Sequence, residues 1–187
     1  DQPNVYWVPN GVDVKHYNKK FTLINRDVSD IAKPIIGYIG VIQDKVDLEL
    51  VKYLAENNPD KSLVLVGPVW NEQDKFKVAL EGLSNVHFLG YKKYEDAPMY
   101  IQQFDVGIIP HKTEGFSAST NPMKAYEYLA CGKPVVATKN IGTDNVSEMI
   151  NAADDYEDFN YQINELLADD SEEKQQERKD FIKKHSW

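Results

Sequence analysis

The sequence predicts an α/β fold in which helices cover both faces of a doubly wound parallel sheet. Short apolar runs alternate with helical patterns along the chain. The runs are almost continuously apolar, which is typical of parallel strands buried on both faces. The length of 187 residues suits one compact domain. Sheets of this kind bind ligands at the carboxyl ends of their strands, near the point where the strand order reverses.

The predicted strands are four or five residues long and cover residues 5–8, 35–39, 62–66, 86–89, 105–109 and 134–138. Helical periodicity and stop signals predict helices over residues 47–57, 72–80, 96–104, 122–131, 158–168 and 172–185. Asp47 suits the cap or first turn of the first of these helices. Residues 12–33 are polar and irregular, so we expect a wrapped connection there.

The composition excludes several classes of protein. The single cysteine, Cys131, excludes an internal disulfide framework and a cysteine-rich zinc site. The chain has no run of 18 apolar residues and no signal peptide, so we expect a soluble, cytoplasmic domain. The net charge of −9 resides mainly in residues 154–180, with eleven acids and three bases, which predicts a solvated acidic helix face.

Basic residues outnumber acidic ones between Pro110 and Asn140. This segment contains four lysines, at positions 112, 124, 133 and 139, but only two glutamates, at positions 114 and 127. A small anion fits such a surface, whereas a nucleic-acid backbone needs a larger basic area. We therefore expect no nucleic-acid partner.

The segment from Thr120 to Thr138 predicts a helix that begins at the ligand edge of the sheet. Asn121 is suited to cap its N-terminus, Pro122 suits the first turn, and Gly132 suits a left-handed residue after its end. The N–H groups and the dipole of such a helix start form an anion site.

At 100° per residue, Thr120, Lys124, Glu127 and Cys131 fall on one helix face. A cation near the helix start and a carboxylate further along suit a nucleoside diphosphate, because five helical residues rise about 7.5 Å. The two carboxylate oxygens match a vicinal diol. The alternative is a Lys124–Glu127 surface ion pair, which would contribute little.

The same segment resembles the glycosyltransferase group 1 (family 4) signature in the nucleotide-sugar domain. The likeness extends over most of the chain through shorter fragments in the same order, which are WVPNGVD (7–13), IGYIG (36–40) with Asp47-Leu48, LVGP (65–68), NVHFLG (85–90) and FDVGIIP (104–110). Each fragment is weak alone, and their order and spacing together carry the resemblance.

The resemblance implies that residues 1–187 are the Rossmann-like, C-terminal donor half of a two-domain GT-B glycosyltransferase. It implies that Glu127 holds the ribose hydroxyls and that backbone amides from Thr120 to Met123 hold the diphosphate. The acceptor domain is then an absent N-terminal half, which would also carry any peripheral membrane contact. We expect the chain alone to be inactive, and surface polysaccharide synthesis follows only by analogy.

Two departures from the family pattern affect the donor site. The family usually has a second glutamate eight residues before the first, where this chain has Ser119. Either Glu114 replaces that carboxylate through a longer loop, or backbone and Asn121 hold the sugar. The basic pair expected after the first long strand is also missing, and Lys45 is a weak substitute.

Other candidate residues follow strand ends. Gly40 is expected to line the interdomain cleft, and His111 to contact the donor or to be a bystander. The loop Leu89-Gly90-Tyr91 is a candidate for contacting the base, either through its backbone or through Tyr91. The chain has no Asp-x-Asp pair and no histidines at ligand spacing, so we expect neither a metal nor another cofactor. Cys131 lies at the helix end that disfavours a thiolate, so we expect a structural role.

Two alternative functions remain open from the sequence. One is a sugar-nucleotide epimerase of the same fold, which a catalytic base in the domain would favour. The other is a non-catalytic sugar-nucleotide-binding module, which Ser119 favours. A dehydrogenase is disfavoured because the dinucleotide fingerprint G-x-G-x-x-G is missing.

Overall fold

A computed structural model describes residues 4, 6, 8–70, 74–113 and 120–187. Within these residues, six strands form a single parallel sheet. They are β1 (Ile35–Ile39), β2 (Ser62–Val66), β3 (Val86–Gly90), β4 (Val106–Ile109), β5 (Val135–Thr138) and β6 (Asn151–Ala153). The strand order is β3-β2-β1-β4-β5-β6, so the direction of winding reverses between β1 and β4. The predicted doubly wound, Rossmann-like α/β fold is confirmed.

Eight α-helices are described: α1 (Val14–Tyr17), α2 (Arg26–Ser29), α3 (Leu48–Asn57), α4 (Asp74–Ala79), α5 (Ala97–Ile101), α6 (Met123–Ala130), α7 (Tyr156–Ala168) and α8 (Glu172–Ile182). Short 3₁₀ turns cover Tyr94–Asp96, Asp144–Met149 and Lys183–His185. Asp47 caps α3 by accepting from the amides of Glu49 and Leu50, as expected. No helix in the described part of the chain is long and apolar enough to cross a membrane.

Three local expectations were wrong. Tyr6 and Val8 are not in a strand, and Val5 and Trp7 lie outside the described residues. The connection over residues 12–33 contains α1 and α2, which are each one turn long and too short for a periodic pattern. Strand β6 was missed because Asn151-Ala152-Ala153 has neither the length nor the β-branched residues that predict a strand.

Each face of the sheet has its own hydrophobic core. The face covered by α1, α5, α6 and α8 buries the aromatic rings of Tyr17, Tyr100, Phe104, Tyr126 and Tyr128. The opposite face, covered by α3, α4 and α7, buries Leu50, Leu54, Phe76, Phe159 and Ile163. Helices therefore pack on both sides, as the apolar strands predicted.

A buried arginine side chain links the acidic C-terminal helices to the end of α6. Arg178 on α8 bonds to Asp170 at 2.6 Å and donates to the carbonyl of Gly132 at 3.0 Å. Gly132, at φ +76°, ends α6 in a left-handed conformation, as expected. The contact holds α8 against the C-terminal end of α6, and Arg178 and Ile182 are the buried residues of this helix.

Two glycine backbones are in close contact where β1 and β2 end. Gly40 and Gly67 have φ values of +140° and +138°. A Cβ atom on Gly67 would lie 2.0 Å from the carbonyl oxygen of Gly40, which no side chain can accommodate. The absence of side chains leaves bare backbone at the ligand edge.

We predict that Gly67→Ala destabilises the protein by about 1–3 kcal/mol more than Gly82→Ala, measured by urea unfolding. Gly82 also has a positive φ, but a Cβ there meets no atom within 4 Å, so this control isolates the clash from the backbone strain. Equal losses for the two variants would contradict the close approach of Gly40 and Gly67.

Candidate functional site

Helix α6 is anchored where the strand order reverses. β1 and β4 pair only at Ile36–Val106 and Gly37–Gly107. Beyond these pairs, the Tyr128 hydroxyl accepts from the amide of Ile39 at 3.0 Å and donates to the carbonyl of Ile108 at 3.3 Å. The fully buried Tyr128 side chain therefore bridges the two separating strands and fixes α6 across the switch point.

The start of α6 differs from the expectation. Pro122 occupies the cap position with φ −69° and ψ 113°, and the helix begins at Met123, so Pro122 is outside the first turn. Asn121 does not cap the helix. Its side chain accepts from the amide of Asn10 at 2.9 Å and donates to the carbonyl of Gly142 at 3.0 Å. The Asn121 side chain thus joins two neighbouring loops, and within the described residues no side-chain hydrogen bond caps the first amides of α6.

Thr120 precedes this junction and packs against the same neighbouring loop. Its hydroxyl donates to the carbonyl of Ile141 at 3.3 Å. A Cβ atom on Gly142 would lie 1.5 Å from the Thr120 carbonyl oxygen, so that glycine is required for the contact. Met123, which follows Pro122, has a 45% exposed side chain. Thr120 to Met123 therefore form a braced entry to α6.

Lys124 is buried, although it lies in the first turn of a helix at the sheet edge. Its side chain packs against Gly40, and its Nζ atom lies 5.2 Å from the centroid of the Tyr38 ring. Among the described residues, neither a hydrogen bond nor an ion pair reaches this ammonium group. Burial, with a further contribution from Lys45, lowers the pKa of Lys124 to about 8. The group is still mainly protonated at neutral pH, so an unneutralised cation lies beside the start of α6.

Glu127 lies one turn further along α6 and is half-buried. Its Oε1 atom accepts a hydrogen bond from the hydroxyl of Tyr17 at 2.7 Å. Burial raises the pKa of Glu127, while the Tyr17 bond and the charge of Lys124 oppose that rise. Lys124 and Glu127 do not form the surface ion pair that the sequence left open, because one is buried and the other is bonded to tyrosine.

A cavity of about 260 Å³ opens at the carboxyl ends of β1, β2 and β3. Its walls are residues 39–41, 66–68 and 91–94, with Tyr17, Ala97 and Glu127. The structure thus brings together Gly40, Tyr91 and Glu127, three candidates from distant parts of the sequence. Lys124 adjoins the same cavity through its contact with Gly40.

Three residues of the cavity region were missed in the sequence. Tyr17 lines the cavity from α1, and Tyr94 lines it from the loop after β3. His16 stacks on Tyr94 with ring centroids 4.4 Å apart, and its Nε2 atom lies 3.0 Å from the Tyr94 carbonyl. The aromatic pair Tyr91 and Tyr94 after a strand end was the available signal. We expected residues 12–33 to form a wrapped connection, but their sequence did not indicate that α1 lies at this cavity.

His111 lies near the site but outside this cavity. It is 2% exposed, and its ring meets the edge of Tyr38 with centroids 6.5 Å apart. Burial and the charges of Lys124 and Lys45 lower its pKa to about 2, so the imidazole is neutral. Within the described residues, its Nε2 atom has no hydrogen-bond partner. A neutral ring beside two lysines leaves their positive charge uncancelled.

The expected cluster of four lysines does not form. Lys139 pairs with Asp154 at 2.6 Å, and the electrostatic neighbours of Lys133 are Lys33 and Asp105 at the opposite end of the sheet. Lys45 is instead near enough to Lys124 and His111 for its positive charge to lower the pKa of both groups. The local cation density at the start of α6 comes from Lys45 and Lys124.

Ser119 and Glu114 lie outside the described residues, so the question of the missing carboxylate stays a prediction. Tyr91 lines the cavity with a 71% exposed side chain.

Cys131 is buried, and its thiol donates to the carbonyl of Tyr17 at 3.4 Å. Burial raises its pKa, in accord with a structural role. The described ranges contain no group of three or more histidine, cysteine or acidic residues that could hold a metal ion.

Comparison with known proteins identifies the family. The model of the family "Glycosyl transferases group 1" matches residues 33–169. TuaH of Bacillus subtilis strain 168, named as a teichuronic acid biosynthesis glycosyltransferase, is 31% identical over 145 residues, which are 77% of this chain and 36% of TuaH. A GDP-mannose-dependent phosphatidylinositol monomannoside mannosyltransferase of Corynebacterium glutamicum is 27% identical over 146 residues, which are 72% of this chain and 38% of that protein.

Solved glycosyltransferases share the fold. HepE of Anabaena, crystallised with UDP and glucose, superposes with a TM-score of 0.71 at 21% identity over 95% of this chain and 51% of HepE. A glycosyltransferase of Rickettsia africae superposes with a TM-score of 0.73 at 14% identity, over 94% of this chain and 51% of that one. The chain spans about half of each structure and less than half of the curated relatives. With its sheet topology and family match, the chain belongs to the glycosyl transferases group 1 and has the Rossmann-like fold of one GT-B half.

Proposed function

We propose that this domain binds the nucleotide-sugar donor of a GT-B glycosyltransferase. The observation that carries the proposal is the buried Lys124 side chain, whose ammonium group has neither a hydrogen-bond nor an ion-pair partner among the described residues and lies beside the start of α6. Burying an unpaired charge is costly, and a protein retains one where a ligand neutralises it. An anion with two phosphates supplies that neutralisation.

The diphosphate is placed at the start of α6. In the part of the chain that the structure describes, the first amides of the helix have no side-chain cap, and a helix N-terminus attracts anions. Lys124 and Lys45 add positive charge, and the Lys124 side chain packs against Gly40 at the cavity wall. These groups act without a divalent cation in the proposal.

The nucleoside is placed in the 260 Å³ cavity deeper along α6. Glu127 is assigned to the ribose, because a carboxylate oxygen not used by Tyr17 remains to accept from the sugar hydroxyls. Tyr91 is assigned to the base, since its exposed ring stands at the cavity wall. The transferred sugar would then lie beyond the diphosphate, towards the segment that contains Ser119.

Relatives support the reaction class. HepE was crystallised with UDP-glucose, and the name of TuaH refers to teichuronic acid biosynthesis. We infer transfer of a sugar from a nucleotide donor to a polysaccharide acceptor that a second domain holds. The acceptor and the closing half of the cleft would both come from that domain. We therefore expect residues 1–187 alone not to catalyse sugar transfer.

We predict that Glu127→Ala weakens binding of the preferred nucleoside diphosphate at least tenfold, because charge-assisted bonds to the ribose are lost. Calorimetry with UDP, GDP and ADP selects the ligand, and Glu127→Gln should give a smaller loss. The 2′,3′-dideoxy form of that ligand should bind both proteins equally. A folded Glu127→Ala protein with wild-type affinity would refute the ribose assignment.

We also predict that diphosphate affinity falls as the pH rises above 8. Lys124 has a lowered pKa of about 8, so deprotonation above that pH removes the cation that the diphosphate needs. The affinity should decrease by up to about tenfold per pH unit for one linked proton. Titrations from pH 7.5 to 9.5 in EDTA measure the slope and test whether a metal is required.

The control for the pH titration is Lys124→Met, which keeps an unbranched side chain of nearly the same length and removes its charge. This variant should bind weakly at pH 7.5 and show a much shallower pH dependence. A wild-type affinity that does not change across this pH range, or that vanishes in EDTA, would contradict the assigned role of Lys124.

A further inference from the structure

Tyr17 places a buried hydroxyl directly on the candidate ribose-binding carboxylate. The side chain is 1% exposed, and its hydroxyl donates to Oε1 of Glu127 at 2.7 Å. Both residues line the same cavity, although 110 residues separate them in the sequence. Burial and the adjacent Glu127 raise the pKa of Tyr17, so the hydroxyl remains a donor at all ordinary pH values.

The backbone that carries Tyr17 is itself held at several points. Asp13 caps α1 by accepting from the amide of His16 at 2.9 Å. The carbonyl of Tyr17 accepts from Gln102 Nε2 at 3.1 Å and from the thiol of Cys131 at 3.4 Å. The Tyr17 ring also meets the edge of the Tyr94 ring, with centroids 6.1 Å apart. The hydroxyl is therefore presented to Glu127 by a rigid support.

We propose that Tyr17 is a positioning residue for nucleotide binding, which holds the Glu127 carboxylate in the rotamer that presents Oε2 to the ribose. The inference rests on the proposed function, because it assigns Tyr17 to the same site. A glutamate side chain has three rotatable bonds, and fixing them before the ligand arrives lowers the entropy that binding must remove. The Tyr17 bond occupies one oxygen and leaves the other available.

A purely packing role would use the Tyr17 ring and not its hydroxyl. Phenylalanine keeps the ring, so Tyr17→Phe separates the two roles. The matched control is Tyr156→Phe, since the Tyr156 hydroxyl also donates to a carboxylate, Asp47 Oδ2 at 2.8 Å, but lies away from the nucleotide cavity. Each substitution removes one tyrosine–carboxylate bond.

The test measures the affinity of the 187-residue chain for its tightest-binding nucleoside diphosphate among UDP, GDP and ADP, and for the 2′,3′-dideoxy analogue. We expect Tyr17→Phe to weaken binding of the ribose form about fivefold and to leave the dideoxy form unchanged. Tyr156→Phe should change neither. In the double variant with Glu127→Ala, Tyr17→Phe should add no further loss.

A second readout requires no ligand. The pKa of the Glu127 carboxyl, followed by ¹³C NMR, should rise in Tyr17→Phe because a donor to the charged form is gone. Equal losses for the ribose and dideoxy ligands, or unchanged affinity with a folded protein, would overturn the positioning role. If Glu127→Ala weakens binding and Tyr17→Phe does not, only this inference fails. If the wild-type chain binds none of the three nucleotides, the proposed function fails with it.

Discussion

The site depends on the two hydrogen bonds by which the Tyr128 side chain joins β1 to β4. Its hydroxyl bonds to both strands where their pairing ends, and its ring lies on Gly107, where a Cβ atom would approach within 2.6 Å. This contact fixes both the height and the rotation of α6. Lys124 lies four residues before Tyr128 and Glu127 immediately before it, so both orientations follow from the anchor. Without it, a cation and a carboxylate on a surface helix would have no defined relation to the sheet edge.

The position of α6 determines the environment of the two charged groups of the site, Lys124 and Glu127. Burial disfavours both charges, lowering the pKa of Lys124 and raising that of Glu127. The two groups do not neutralise each other through an ion pair. Glu127 is instead satisfied in part by Tyr17, whereas the described residues offer the Lys124 ammonium the face of the Tyr38 ring but no hydrogen bond or ion pair. This unequal satisfaction matches a ligand with an anionic end and a hydroxyl-bearing part, and it separates the site from an ordinary buried salt bridge.

Much of this arrangement could be predicted from the sequence because it depends on local pattern. Continuous apolar strands predicted the parallel sheet, and helix spacing placed Lys124 and Glu127 on one side of α6. The strand-end rule gathered Gly40 and Tyr91 at the same edge. The role of Asn121 was misjudged because its side chain bonds across 111 residues to Asn10, and local capping preference contains no such information. Tyr17 was missed for the same reason, because its hydroxyl reaches Glu127 only when α1 packs against α6 in the folded chain.

The position of the phosphates in a crystal structure with the preferred nucleoside diphosphate tests the account most directly. We predict that the diphosphate lies against the amides of Met123 and Lys124, with the Lys124 ammonium within hydrogen-bond distance, and that the ribose faces Glu127. A diphosphate held by exposed lysines such as Lys93, with the Lys124 ammonium still unoccupied, would contradict it.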